Sequence, residues 1–233
     1  MDRFRLESFS DGVFAVAITL LAVNITIGGS VNGVLLHQVL NQWPTYVAYL
    51  VSFFTIGIIW VNHHALVRDM VVIDRVLLFL NLVLLLFVVL IPSSTAAMAR
   101  YLSTGGENSR VAMALYCIIF DGMSLSFGAI FEWTLHGKRM RYTIPSEKRR
   151  LVRLRFTAGA LAYLVATGIA LVSAPAALVI IGLVAVYYMA EHTPVLEDPH
   201  HRTDDAPRQR AAEQEHVMGE QHAGSDRGGP TGD

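Results

Sequence analysis

Residues 5–23 read Arg5-Leu-Glu-Ser-Phe9-Ser10-Asp11-Gly12-Val-Phe-Ala-Val16-Ala-Ile-Thr19-Leu20-Leu-Ala-Val23, charged at one end and apolar over the rest. The hydrocarbon core of a bilayer is about 30 Å thick and takes roughly 20 apolar residues to cross as a helix, so this run is a candidate span. Extended to the full apolar stretch it covers 7–28, and further runs follow at 45–67, 74–98, 110–134, 152–173 and 175–190. The last is short and joins the fifth through Ser173, Ala174 and Pro175. Continuous runs differ from the alternating ten-residue segments of a membrane barrel. The expected fold is therefore all-α, a polytopic membrane protein with six transmembrane helices. Composition agrees: 53% of the 233 residues are hydrophobic and 16% charged, and the mean hydropathy of +0.46 is too high for an ordinary soluble domain. A cleaved signal peptide is disfavoured for the first run, because Asp11, Thr19, Asn24 and Thr26 interrupt it and no A-x-A site follows.

Charge is divided along the chain. Residues 191–233 hold ten acids and four arginines, which leaves nine acids and fourteen basic residues before them, so a basic first part cancels an acidic tail to a formal net of −1. That balance excludes a basic nucleic-acid binder, and Cys117, the single cysteine, excludes an internal disulfide. Cytoplasmic loops keep lysine and arginine. Arg3 and Arg5, then Arg68 and Arg75, then Lys138, Arg139, Arg141, Lys148, Arg149, Arg150, Arg153 and Arg155 fall on one side; Arg100 and Arg110 fall on the other. Six spans with both termini cytoplasmic satisfy this pattern. The tail 191–233 is polar and rich in Gly and Pro, and is expected to be disordered and cytoplasmic. Its histidines, 192, 200, 201, 216 and 222, match no ligand spacing, so neither a metal nor a cofactor is assigned.

Polar residues inside a membrane are costly and mark partners or water. Most lie in the first three runs. Arg5 and Asp11 are six positions apart, about 240° around a helix, so each needs a partner on another helix. Candidates are Trp60, Asn62, His63, His64, Arg68, Asp69, Asp74, Arg75 and Asn81. Long arginine side chains reach the headgroups, whereas Asp11, His63 and His64 are too short, which favours a buried polar network. The two histidines also raise the prospect of a pH-sensitive activity.

The first helix carries two more patterns. Val16, Leu20 and Val23 share a face at i, i+4, i+7, with Thr19 beside it; such a stripe lines a pore or faces lipid. Gly12, Ala15, Thr19, Ala22 and Thr26 form a small-residue stripe suited to close packing, the stronger reading from spacing alone. Among the later runs, Asp121 and Glu132 share one face, and Asp121 belongs to an ion path or pairs with Ser124, Ser126 or another helix. Pro92 is expected to kink the third helix.

Two blocks carry a resemblance. Arg5-x-x-x-Phe9-Ser10-Asp11 followed by Gly-Val-Phe-Ala-Val-Ala-Ile-Thr-Leu-Leu resembles the signature of the transmembrane protein 175 family of potassium channels, in its bacterial six-helix form. Ile-Gly-Ile-Ile-Trp60-Val-Asn62-His63-His64, then Asp74-Arg75-x-Leu-Leu-x-x-Asn81-Leu and Ile91-Pro92, extend the similarity over about residues 3–95. The resemblance implies that residues 1–190 form a channel domain, assembled as a homotetramer around the first helix of each subunit in a bacterial inner membrane. It further implies apolar constriction rings at Val16, Leu20 and Val23, a cation-selecting hydroxyl at Thr19, and an inner polar network of Arg5, Ser10, Asp11, Trp60, His63, His64, Asp74 and Asn81. This raises the pore-wall reading of the first helix above packing.

The family commonly has isoleucine or leucine where this chain has Val16 and Val23. Smaller rings lower the cost of passing a partly hydrated ion, so the expectation is a weakly selective potassium leak channel whose partners are lipid and monovalent cations. Two other classes compete. An enzyme lacks support, since HExxH, GxSxG and P-loop motifs are absent and adjacent histidines project about 100° apart. A proton-coupled secondary transporter would use Asp11, His63 and Asp121 as relay groups, but no internal repeat or pair of broken helices is evident.

Overall fold

The structure, a computed structural model, describes residues 3–23, 25, 36, 39, 40, 42–136, 139–141 and 145–190. Asn24, Thr26, Lys138 and the tail from residue 191, with its histidines, lie outside the described residues. Among the described residues, six helices follow in order: α1 (Arg3–Val23), α2 (Trp43–Arg68), α3 (Arg75–Leu102), α4 (Gly106–Leu135), α5 (Ser146–Ala170) and α6 (Ala174–Ala190). The first five are long and apolar enough to cross a membrane. At 17 residues, α6 is shorter than the roughly 20 that a perpendicular crossing takes.

Helix ends reach beyond the apolar runs because backbone hydrogen bonding continues where hydrophobicity stops. α1 begins at Arg3 rather than residue 7, and its charged first turns are helical. Pro44 opens α2 in the first turn, where a missing N–H costs nothing. Asp74 caps α3: its carboxylate accepts from the Leu77 N–H at 2.9 Å. α3 runs on through Pro92 as one helix. Gly105 and Gly106, at φ of 67° and 73°, turn the chain from α3 into α4 in a conformation that side chains resist.

The core is centred on α4, whose Tyr116, Phe120, Phe127 and Phe131 are buried. Phe120 meets Tyr163 of α5 edge-on, and Phe156 packs against both Phe127 and Phe131. Small residues bring helices close. A β-carbon on Gly122 would strike the Phe87 ring of α3, and one on Gly159 would strike Tyr188, whose hydroxyl donates to the Arg155 carbonyl at 2.7 Å. Between α2, α3 and α4, Ser52, Thr95 and Tyr116 join hydroxyls at 2.8 and 2.9 Å, so three buried polar groups satisfy one another.

The α2–α3 and α4–α5 connections meet. Val71 N–H donates to Arg139 O at 2.8 Å and Arg141 N–H to Asp69 O at 3.0 Å, around an isolated antiparallel bridge between Met70 and Met140. Arg3 adds a bond from Nη1 to Arg68 O at 2.6 Å. Three segments rich in positive charge therefore share one end of the bundle, as the distribution of lysine and arginine requires.

Candidate functional site

α1 has two faces. Leu6, Ser10, Phe14, Ala17 and Leu21 are buried at spacings of three and four, forming one stripe held against α2 and α3. The opposite face is open: Val16 is 56% exposed, Leu20 42% and Val23 73%. Arg5, Phe9, Gly12 and Thr19 are exposed on that side as well. Thr19 donates its hydroxyl hydrogen to the Val16 carbonyl at 2.8 Å. That bond commits the hydrogen to the backbone and leaves the oxygen lone pairs able to accept.

The buried face is fixed by polar bonds at its charged end. Asn81 of α3 donates from Nδ2 to Ser10 Oγ at 3.0 Å and accepts at Oδ1 from His63 Nε2, 2.7 Å away on α2. Ser10 in turn donates to the Leu6 carbonyl at 2.9 Å. This pattern requires the His63 tautomer with hydrogen on Nε2. One amide thus ties three helices together, and all three side chains are buried. The His63 ring also packs on Phe14, with centroids 5.5 Å apart. Beside this cluster, Trp60 Nε1 donates to Asp11 Oδ1 at 2.9 Å. One turn nearer the helix end, His64 Nδ1 lies 3.1 Å from Glu7 Oε1 without hydrogen-bond alignment. Glu7 and Asp11 on α1 face Trp60 and His64 on α2, with a four-residue step on each helix. Glu7 was absent from the candidate partners, although its position one turn before Asp11 was the available signal.

Asp74 and Arg5 are placed elsewhere. Asp74 stands at the head of α3, where its carboxylate also accepts from Trp133 Nε1 at 3.0 Å and pairs with Arg139 Nε at 2.9 Å. The Leu77 N–H first, then Trp133 and Arg139, hold this carboxyl below its ordinary value. Arg139 stacks on the Trp133 ring at 4.5 Å, so the start of α3 is clamped to the end of α4. Sequence spacing held no sign of this clamp, because Asp74 and Arg139 are 65 residues apart. Arg5 stays on the open face of α1. Asp121 keeps one buried oxygen without a hydrogen-bond partner, while Glu132 pairs with Arg153. Among the described residues, no group of three or more His, Cys, Asp or Glu is placed to hold a metal ion.

The family model described as the endosomal/lysosomal potassium channel TMEM175 matches residues 5–92, which include every residue of the α1–α3 polar cluster. A Streptomyces collinus protein named as a potassium channel is 43% identical over 193 residues, covering 82% of this chain and 93% of that protein. The chain belongs to the TMEM175 family. Its members are ion channels rather than enzymes, and the helices described above make this one an integral membrane protein. Among solved structures, a Chamaesiphon minutus homologue of the lysosomal potassium-selective channel TMEM175 superposes with a TM-score of 0.71 at 30% identity. That likeness covers 80% of this chain and 96% of the other. A Gallus gallus TMEM175 named as a proton channel is 29% identical, over 58% of this chain and 28% of its own length.

Proposed function

We propose that this TMEM175 chain forms a potassium-permeable, weakly selective leak channel. Copies of α1 from a homotetramer line its pore with rings of Val16, Leu20 and Val23. The observation that carries the reading is the open apolar face of α1, opposite a face held by buried polar bonds. An exposed apolar face on a membrane helix meets lipid or further protein; the family resemblance implies further copies of the first helix there, and the polar bonds on the opposite face leave this one available for them. In a narrow pore, apolar rings set the barrier by the water an ion must shed. Thr19, one position before Leu20, supplies an oxygen for the partly dehydrated cation. Conduction through such rings calls for no cofactor. The setting is a bacterial inner membrane, with the clamped basic end and both termini in the cytoplasm.

The test is flux and current through purified protein in liposomes. Replacing Val16 with Asn puts a polar side chain in the first ring and is expected to increase sodium permeation, moving the reversal potential towards zero in opposed sodium and potassium. Leu20→Ala widens the next ring and should raise passive flux. Unchanged reversal potentials in Val16→Asn would overturn the ring assignment. Saturable flux coupled to a proton gradient, in place of ohmic current, would assign the chain to the secondary transporters.

A further inference from the structure

The helices away from α1 carry a feature that conduction does not use. Between α4 and α5 runs a groove of about 380 Å³ with Leu125, Gly128 and Ala129 on one wall and Phe156, Thr157 and Ala160 on the other. It extends along α4 from Ser124 to Glu132, which is about 12 Å of helix. Its volume is within the range of small-ligand sites. A β-carbon built on Gly128 meets nothing within 4 Å, as at Gly12, Gly57 and Gly168, whereas one on Gly122 would strike Phe87; of these open glycines Gly128 is the one that lines the groove. Glycine inside a helix costs about 1 kcal/mol relative to alanine. The space over Gly128 is therefore open to something outside the chain.

One end of the groove is charged. Arg153 pairs with Glu132 through two bonds, from Nε to Oε1 and from Nη2 to Oε2, and the pair closes the floor there. Arg149 and Arg150 stand one turn nearer the start of α5, four and three residues before Arg153, and so share its side of the helix. Lys148 and Arg150 are exposed, and neither they nor Arg149 form an ion pair among the described residues. Among the described residues, the acids at this end of α4 and α5 are Glu132, already neutralised by Arg153, and Glu147 in the first turn of α5. Surplus positive charge thus sits where an apolar groove reaches the membrane surface.

We propose that this groove binds one anionic phospholipid, with an acyl chain lying over Gly128, Ala129 and Ala160 and the headgroup phosphate between Arg149 and Arg150. Charge complementarity selects the occupant: an apolar chain joined to an anion matches an apolar trough ending at Arg153, with Arg149 and Arg150, which pair with no acid among the described residues, one turn beyond. A diffuse attraction of basic loops to anionic membranes needs no groove. The site, in contrast, needs both parts.

The experiment uses the full-length protein in detergent, with dioleoyl phosphatidylglycerol or dioleoyl phosphatidylcholine added at equal concentration. Retained lipid is counted by native mass spectrometry and the unfolding midpoint is followed by fluorescence. Phosphatidylglycerol is expected to bind one per subunit and to raise the midpoint above the phosphatidylcholine value. Gly128→Leu, which fills the trough and leaves every charge in place, should remove that excess. The double variant Arg149→Gln with Arg150→Gln should weaken phosphatidylglycerol retention about thirtyfold while leaving the phosphatidylcholine response intact. Ala160→Leu fills the groove from α5 and repeats the test if Gly128→Leu folds poorly. An excess that survives groove filling would reduce the effect to surface charge and overturn the site. Inorganic phosphate giving the same rise would make it a free-anion site. A fall in oligomer mass in Gly128→Leu would assign the groove to a neighbouring copy of the chain.

Discussion

At Asn81 a single side chain carries hydrogen bonds to two other helices, to Ser10 of α1 and His63 of α2. Its worth is read from what its loss leaves behind. In Asn81→Leu both Ser10 and His63 stay buried while losing a partner, and an unsatisfied buried polar group costs about 1–3 kcal/mol. The unfolding midpoint should fall accordingly. Adding Ser10→Ala should cost less than it does in the native background, because its partner is already gone. Their polarity inside apolar runs placed Asn81 and His63 among the candidates, and the family resemblance added Ser10. The sequence was silent on which pairs form. His63 and His64 are adjacent in sequence, yet one is buried on Asn81 and the other is half exposed beside Glu7, because neighbouring side chains on a helix point about 100° apart.

Among the helices, the α3–α4 clamp has a definite pH signature. Asp74 caps α3, accepts from Trp133 and pairs with Arg139, and its carboxyl is held below the ordinary 3.8. A carboxyl lowered on folding stabilises the native state fully above its unfolded value, and that stabilisation is lost as pH falls through the lowered folded value. The native protein should therefore lose stability as pH drops below about 4, and Asp74→Asn should flatten this acid limb. At neutral pH, Asp74→Ala is expected to cost about 1–2 kcal/mol, chiefly through the lost cap. Unfolding midpoints taken from about pH 3 to pH 7 check both statements. The cap was not read from the sequence, since Asp74 was placed inside the apolar run 74–98 instead of ahead of it. Helix ends depend on where backbone N–H groups find acceptors, and hydropathy does not register that.

For the whole molecule, the tail is the simplest case. Residues 191–233 lie outside the described residues. The tail's polar, acidic composition carries the expectation of disorder. Removing residues 195–233 should leave liposome flux within about twofold of the native rate, as the proposed pore runs along α1. A correctly assembled truncation without flux would give the tail a working role. The sequence by itself determined the apolar helices, their order and the end at which positive charge gathers, because crossing a bilayer demands about 20 apolar residues and loops sort by lysine and arginine; five of the six described helices are long and apolar enough to cross. It also marked the polar positions, because such groups are too costly in hydrocarbon to stand without purpose. Only the tertiary structure decided which of them meet. It joined Ser10, Asn81 and His63, turned Val16, Leu20 and Val23 to the open face, and took Asp74 away to Arg139. Those outcomes depend on helix rotation and on contacts between segments tens of residues apart, which no local pattern encodes.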